Sequence, residues 1–124
     1  MFTKVGQVML YLDHQEEGVK FWTEQLGFVI TSEEKNGEMK WFEVTPRDEA
    51  ETTIVLHDKE VVARLSPGLN LDTPSLMFYS DRFDELYKDL QSKGITVGEI
   101  VNMPTGRVFN FADHEENYFA VMEK

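Results

Sequence analysis

Apolar and polar residues follow two different periods along the chain, and the periods change in the same order twice. From Gly6 to Asp13 the run "GQVMLYLD" sends side chains alternately to two faces, as a strand requires. Val19, Trp22 and Leu26 then share one helical face, and Gly27 stands where a helix stops on a left-handed residue. The runs "FVITS", "MKWFEV" and "TIVLHDK" predict three further strands, with "SEEKNGEMK" as a charged hairpin. "LMFYSD" opens the second series: Phe83, Leu86, Tyr87 and Leu90 fit an i, i+3, i+4, i+7 stripe, Gly94 ends the helix, and "ITVGEIV", "VFNF" and "YFAVMEK" predict strands.

The two series are an internal repeat. Val8–Asp13 lies over Leu76–Asp81 at an offset of 68, "WFEV" over "VFNF" at 67, and Thr53–Lys59 over Tyr118–Lys124 at 65. The repeat pairs Val55 with Ala120 and Glu43 with Asn110. Each module therefore reads strand, helix, strand, strand, strand, with module one at about 1–59, a connector at about 60–72 and module two at about 73–124, all in one domain. The connector is expected to make a helical turn before Pro67 and Gly68. Asp13 and Asp81 are expected to cap the helices that follow, with Glu16, Asp84 and Glu85 adding favourable charge to the first turns.

Composition narrows the function. Twelve basic and twenty-three acidic side chains leave a net charge of −11, which repels nucleic acid and anionic membranes; it would attract cationic small molecules or a basic protein, and before either it reads as a solvated acidic surface that keeps the protein soluble. The absence of cysteine removes disulfides, thiolate zinc sites and a cysteine nucleophile. The first residues lack the pattern of a secretory signal and no run is long enough to span a membrane, so a cytoplasmic protein is expected. A glycine-rich phosphate cradle, a nucleophile elbow and an HExxH spacing are all missing.

With its two βαβββ modules, its helix end "FWTEQLGF" and its closing turn "FADHEENYF", the whole chain resembles the vicinal oxygen chelate superfamily. That superfamily includes glyoxalase I, extradiol dioxygenases, bleomycin-resistance proteins and metal-dependent fosfomycin-resistance enzymes. Members often read Asp-Pro-Asp-Gly-Asn at the closing turn; here His114 stands for the proline and Glu116 for the glycine. The resemblance implies an α+β fold whose two modules form a cupped mixed sheet with helices on its outer face, and it implies a homodimer. It also places the metal ligands of the family's enzymes at Gln7, Val55, Ser75 and Ala120. Val55 and Ala120 have no donor atom and Ser75 only a poor one, so the usual divalent metal is not expected. A non-standard cluster of Gln7, Glu43 and His57 is the alternative metal site. His14 and His114 are expected to face solvent.

If Gln7 and Ser75 point into the cup, alternation adds Met9, Tyr11, Met77 and Tyr79, and from the later strands Trp41, Glu43, His57, Asn110, Tyr118 and Met122. This mixture of aromatic rings, methionines and a few polar groups suits a small, partly apolar ligand. The expected function is metal-independent binding of such a ligand, as in bleomycin-resistance proteins, with no other cofactor. The alternative is a lyase or isomerase of the glyoxalase type, with Glu43 as its catalytic base.

Overall fold

A computed structural model describes all of residues 1–124 and divides them into two compact units, Met1–Pro74 and Ser75–Lys124. The connector belongs to the first. Each unit is built around its own four-stranded mixed sheet, so the protein is α+β with two βαβββ modules.

In the first unit, β1 (Gln7–Leu12) leads into α1 (Gln15–Lys20), followed by β2 (Val29–Asn36), β3 (Met39–Thr45), β4 (Thr53–Asp58) and α2 (Lys59–Leu65). The sheet order is β1-β4-β3-β2, with β1 and β4 parallel and the other pairs antiparallel. One face carries Leu10, Leu12, Phe42, Val44, Ile54 and Leu56, all buried, and α1 packs against β1 and β4. Removing this apolar surface from water is the main stabilising term, roughly 1.5–3 kcal/mol for each large side chain.

α1 does not continue as a regular helix. Residues Phe21–Gln25 form a π-helical turn, with Leu26 N–H donating to Phe21 C=O at 3.1 Å and Phe28 N–H to Trp22 C=O at 2.9 Å. The wider turn brings consecutive residues nearer to one side, and both Phe21 and Trp22 are buried. Gly27, at φ +78°, ends it.

In the second unit, β5 (Met77–Ser80), α3 (Phe83–Ser92), β6 (Val101–Met103), β7 (Gly106–Ala112) and β8 (Tyr118–Glu123) form a sheet in the order β5-β8-β7-β6. Phe83 and Leu90 of α3 are buried with Phe109, Phe111, Phe119 and Val121. Tyr87 meets Phe109 edge-on at 4.9 Å. Gly94 stops α3 at φ +76°, and Ile95 N–H reaches back to Leu90 C=O at 3.0 Å.

Three expectations need correction. Asp13 and Asp81 each sit one residue before the helix cap; His14 and Arg82 occupy the cap positions of α1 and α3 and make no side-chain capping bond. The capping aspartate is Asp58, which accepts from Val61 N–H at 3.3 Å and starts α2. The segment "ITVGEIV" is mostly not a strand. Tyr87 Oη–H donates to Gly98 C=O at 2.9 Å, occupying an acceptor that a regular ladder would use, and only Val97 bridges to Phe111 before β6 begins at Val101. Finally, the His114 side chain is 14% exposed and its Nε2 lies 2.9 Å from Glu115 Oε2, so it is tucked into the closing turn rather than facing solvent.

Candidate functional site

The first sheet has a second face, opposite the buried one, and alternation assigns its residues. Gln7, Met9 and Tyr11 on β1, Val55 and His57 on β4, and Met39, Trp41 and Glu43 on β3 all point to that side. The ladder sets Met9 beside Val55, Tyr11 and Trp41 beside His57, and Glu43 beside Val55. These side chains surround a hollow of about 500 Å³ lined by Gln7, Met9, Ser32, Glu34, Met39, Trp41, Glu43, Val55 and His57. That volume is in the usual range for a small-molecule site.

Ser32 and Glu34 reach the hollow because β2 is irregular. Ile30 pairs with Val44, but Ser32 pairs with Glu43 and Glu34 with Trp41, so a bulge at Thr31 resets which side chains face the hollow. Ser32 Oγ–H donates to Glu34 Oε1 at 3.1 Å, and Thr53 Oγ1–H to Glu43 Oε1 at 3.3 Å. Thus the two carboxylates of the lining are oriented by hydroxyls, and no lysine or arginine borders the space.

His57 is the centre of the aromatic part. Its ring stacks on Tyr11 with centroids 5.4 Å apart and planes 16° apart, and Trp41 lies 6.0 Å away at 43°. Its Nε2 is 3.3 Å from Met9 Sδ. Burial pushes the imidazole below its ordinary value of 6.5, so at neutral pH it contributes no charge to the hollow.

The structure therefore gathers Gln7, Met9, Trp41, Glu43 and His57 around one space, with Tyr11 supporting His57. Ser32, Glu34 and Met39 join them, although the sequence reading named none of the three. Met39 was within reach, since it lies two residues before Trp41 on the same strand face. Ser32 and Glu34 were not, because a bulge shifts the alternation on which the reading depends. In the second unit, Met77, Tyr79, Asn110 and Tyr118 are exposed and Ser75 precedes β5, while Met122 is buried beneath the Thr105–Gly106 turn.

The donor set does not fit the family's metal. Val55 is a hydrocarbon floor to the first unit's hollow, and Ala120 is its counterpart in the second unit: Glu43 and Met9 flank Val55 as Asn110 and Met77 flank Ala120. Nowhere do three His, Asp or Glu side chains converge in a group able to hold a metal ion. The cluster of Gln7, Glu43 and His57 borders the hollow, but only two of its members are of those types.

An α+β chain with two βαβββ modules and an unblocked pocket on one sheet defines the class. The sequence matches the Glyoxalase/Bleomycin resistance protein/Dioxygenase superfamily over residues 4–121, and the chain belongs to that superfamily. It is 30% identical over 125 residues to the protein YetH of Bacillus subtilis (strain 168), covering 99% of this chain and 100% of that one. Among solved structures it resembles TnmS3, an antibiotic binding protein from Streptomyces sp. CB03234, with TM-score 0.83, 24% identity, and coverage of 98% and 96% of the two chains. It also resembles a superfamily member from Sphaerobacter thermophilus DSM 20745, with TM-score 0.79, 24% identity, and coverage of 99% and 98%. No helix is long and apolar enough to cross a membrane.

Proposed function

We propose that the protein binds a small, partly apolar, positively charged molecule in the hollow of the first sheet, without the divalent metal used by the family's enzymes. The observation that carries this reading is the lining itself: Trp41, Met9, Met39 and Val55 offer apolar contact, while Glu34 and Glu43 bring negative charge that no basic neighbour neutralises. An organic cation would gain from both the carboxylates and the indole. A binding role on this frame has a parallel in TnmS3. The protein acts in the cytoplasm on this reading, and as a homodimer.

A catalytic alternative rests on Glu43, whose half-buried carboxylate borders the ligand space and could take a proton from a bound molecule. One experiment separates the two. Trp22 is fully buried, so ligand-dependent changes in tryptophan emission report on Trp41. A library of organic cations and matched neutral analogues is screened by thermal shift and by this emission. Cations should bind preferentially, Trp41→Ala should weaken them at least tenfold, and Glu43→Gln should reduce the preference for charge with no turnover to lose. Equal binding of neutral analogues would refute the electrostatic part, and turnover abolished by Glu43→Gln would establish the lyase or isomerase reading.

A further inference from the structure

The two carboxylates of the hollow are set apart from each other. Across β2 and β3, Glu34 pairs with Trp41 and Ser32 with Glu43, so the glutamates take opposite corners of a four-residue patch whose other corners are Trp41 and Ser32. Diagonal neighbours of this kind stand about 7–8 Å apart. Their hydrogen bonds hold them over different strands: Glu34 Oε1 accepts from Ser32 on β2, whereas Glu43 Oε1 accepts from Thr53 on β4, beyond β3. We infer that the hollow takes a linear dication, two protonated amino groups joined by a short alkyl chain, with one ammonium at Glu34 and the other at Glu43. This inference rests on the organic-cation reading and sharpens it from one charge to two.

Charge balance is the first argument. The lining holds two carboxylates and no lysine or arginine, and burial keeps the His57 imidazole uncharged at neutral pH. Lys40, between Met39 and Trp41, serves the opposite face, where its Nζ lies 3.4 Å from Glu33 Oε1 and 5.3 Å from the centre of the Phe42 ring. A bound monocation would cover one of the two glutamates without giving it a counter-charge, which is costly, whereas a dication satisfies both. Orientation is the second argument. Each hydroxyl takes Oε1 and leaves Oε2 to a ligand, and two oxygens aimed from different strands suit two ammonium groups, each with its own charge-assisted hydrogen bond. The surface between them is the third. Trp41, at the corner between the glutamates, and Met39, two residues before it, offer apolar contact to the methylenes, and the indole also attracts the neighbouring ammonium.

The test is calorimetric titration at fixed ionic strength with a series of α,ω-diaminoalkanes. Each is compared with its mono-N-acetyl derivative, which keeps the chain and loses one charge. The best diamine should bind at least tenfold more tightly than its acetylated partner, with affinity passing through a maximum at one chain length. Glu34→Gln and Glu43→Gln should each cut that ratio below threefold. Glu33→Gln removes the same charge from the opposite face and should leave the ratio unchanged. Thermal unfolding without ligand confirms that each variant is folded. Diamines that bind no better than their acetylated partners, or not at all, overturn the dication; the organic-cation reading falls with it only if the cation library also fails to bind. A diamine preference that survives Glu34→Gln, or that Glu33→Gln lowers equally, would overturn it too, since the general field of an acidic chain would then account for the preference.

Discussion

Glu116 is the one non-glycine residue with positive φ, at +63°. It occupies the position where the resemblance drawn from the sequence would put glycine, and the structure gives a reason for glycine there. Asp113, 5% exposed, organises the closing turn: its Oδ1 accepts from the N–H groups of Glu115 and Asn117, each at 2.9 Å, and its Oδ2 accepts from Asn117 Nδ2 at 2.9 Å. Asp113 N–H also donates to Asn117 C=O at 2.9 Å, closing the loop. A loop that tight forces residue 116 into the left-handed region, where a side chain costs about 1–2 kcal/mol. Glu116→Gly should therefore raise stability by about 0.5–1 kcal/mol after allowing for the greater freedom of the unfolded chain. Urea denaturation is the measurement; an unchanged or lower midpoint would mean that the glutamate side chain offsets the backbone strain. The residue pairing at this turn was legible, because His114 and Glu116 stand in a recognisable spacing between Asp113 and Asn117. The burial of His114 was not, since it depends on the folded turn placing Glu115 beside it.

Elements show the same division. The offsets of the internal repeat reappear as ladder register: Met9 opposes Val55 as Met77 opposes Ala120, and Glu43 opposes Val55 as Asn110 opposes Ala120. Local pattern could not reveal the π-helical turn, the bulge at Thr31 or the late start of β6, each of which comes from packing or from a bond to a distant residue. Arg107 is another long-range feature. From β7 it binds Glu123 of β8 through Nε at 3.1 Å and through a second, short contact, and it holds Asp84 of α3 at 3.0 and 3.1 Å. The guanidinium also lies over the Phe83 ring, 4.8 Å from its centre. Hydrogen bonds from Arg107, and then its charge, hold both carboxyls below their ordinary values of 3.8 and 4.5, and Arg107 is raised in turn. Between the lowered and ordinary values the unfolded chain binds more protons than the native one, so stability rises with pH across that window. The contribution is complete above about pH 4.5 and is lost as pH falls through the lowered native values. Arg107→Gln should flatten the acid limb of the stability profile while changing little of its slope above pH 6. The effect should shrink in high salt, since the groups are exposed to solvent. An acid limb identical to that of the wild type would show that the clamp does not couple α3 to the sheet.

At the scale of the whole molecule, fold class was legible because two period changes in the same order are hard to produce without two βαβββ modules. The candidate site was legible on β1, β3 and β4, where alternation is regular, and less so in the second unit. There, Met77, Tyr79, Val101 and Tyr118 share one face of the sheet through the pairings of β5, β6, β7 and β8, yet they are 49%, 68%, 52% and 57% exposed. Four large side chains left in water on one sheet face are a poor end state for a unit that buries Phe83, Phe109, Phe111 and Phe119 so well. Scattered exposed apolar residues are ordinary, but a contiguous group calls for a covering surface. The homodimer proposed above would supply one, with aromatic residues and methionine at its centre as such interfaces prefer. Sedimentation velocity should then give a mass near twice the 14.4 kDa of the chain, because a self-complementary two-fold contact closes at two copies. Tyr79→Asp with Tyr118→Asp should shift the protein to monomer by burying like charges across the contact, while the π-helical turn and core of the first unit remain intact. A wild type that sediments at 14.4 kDa at all concentrations would remove the dimer. Dimers that survive the double substitution would move the interface to another face.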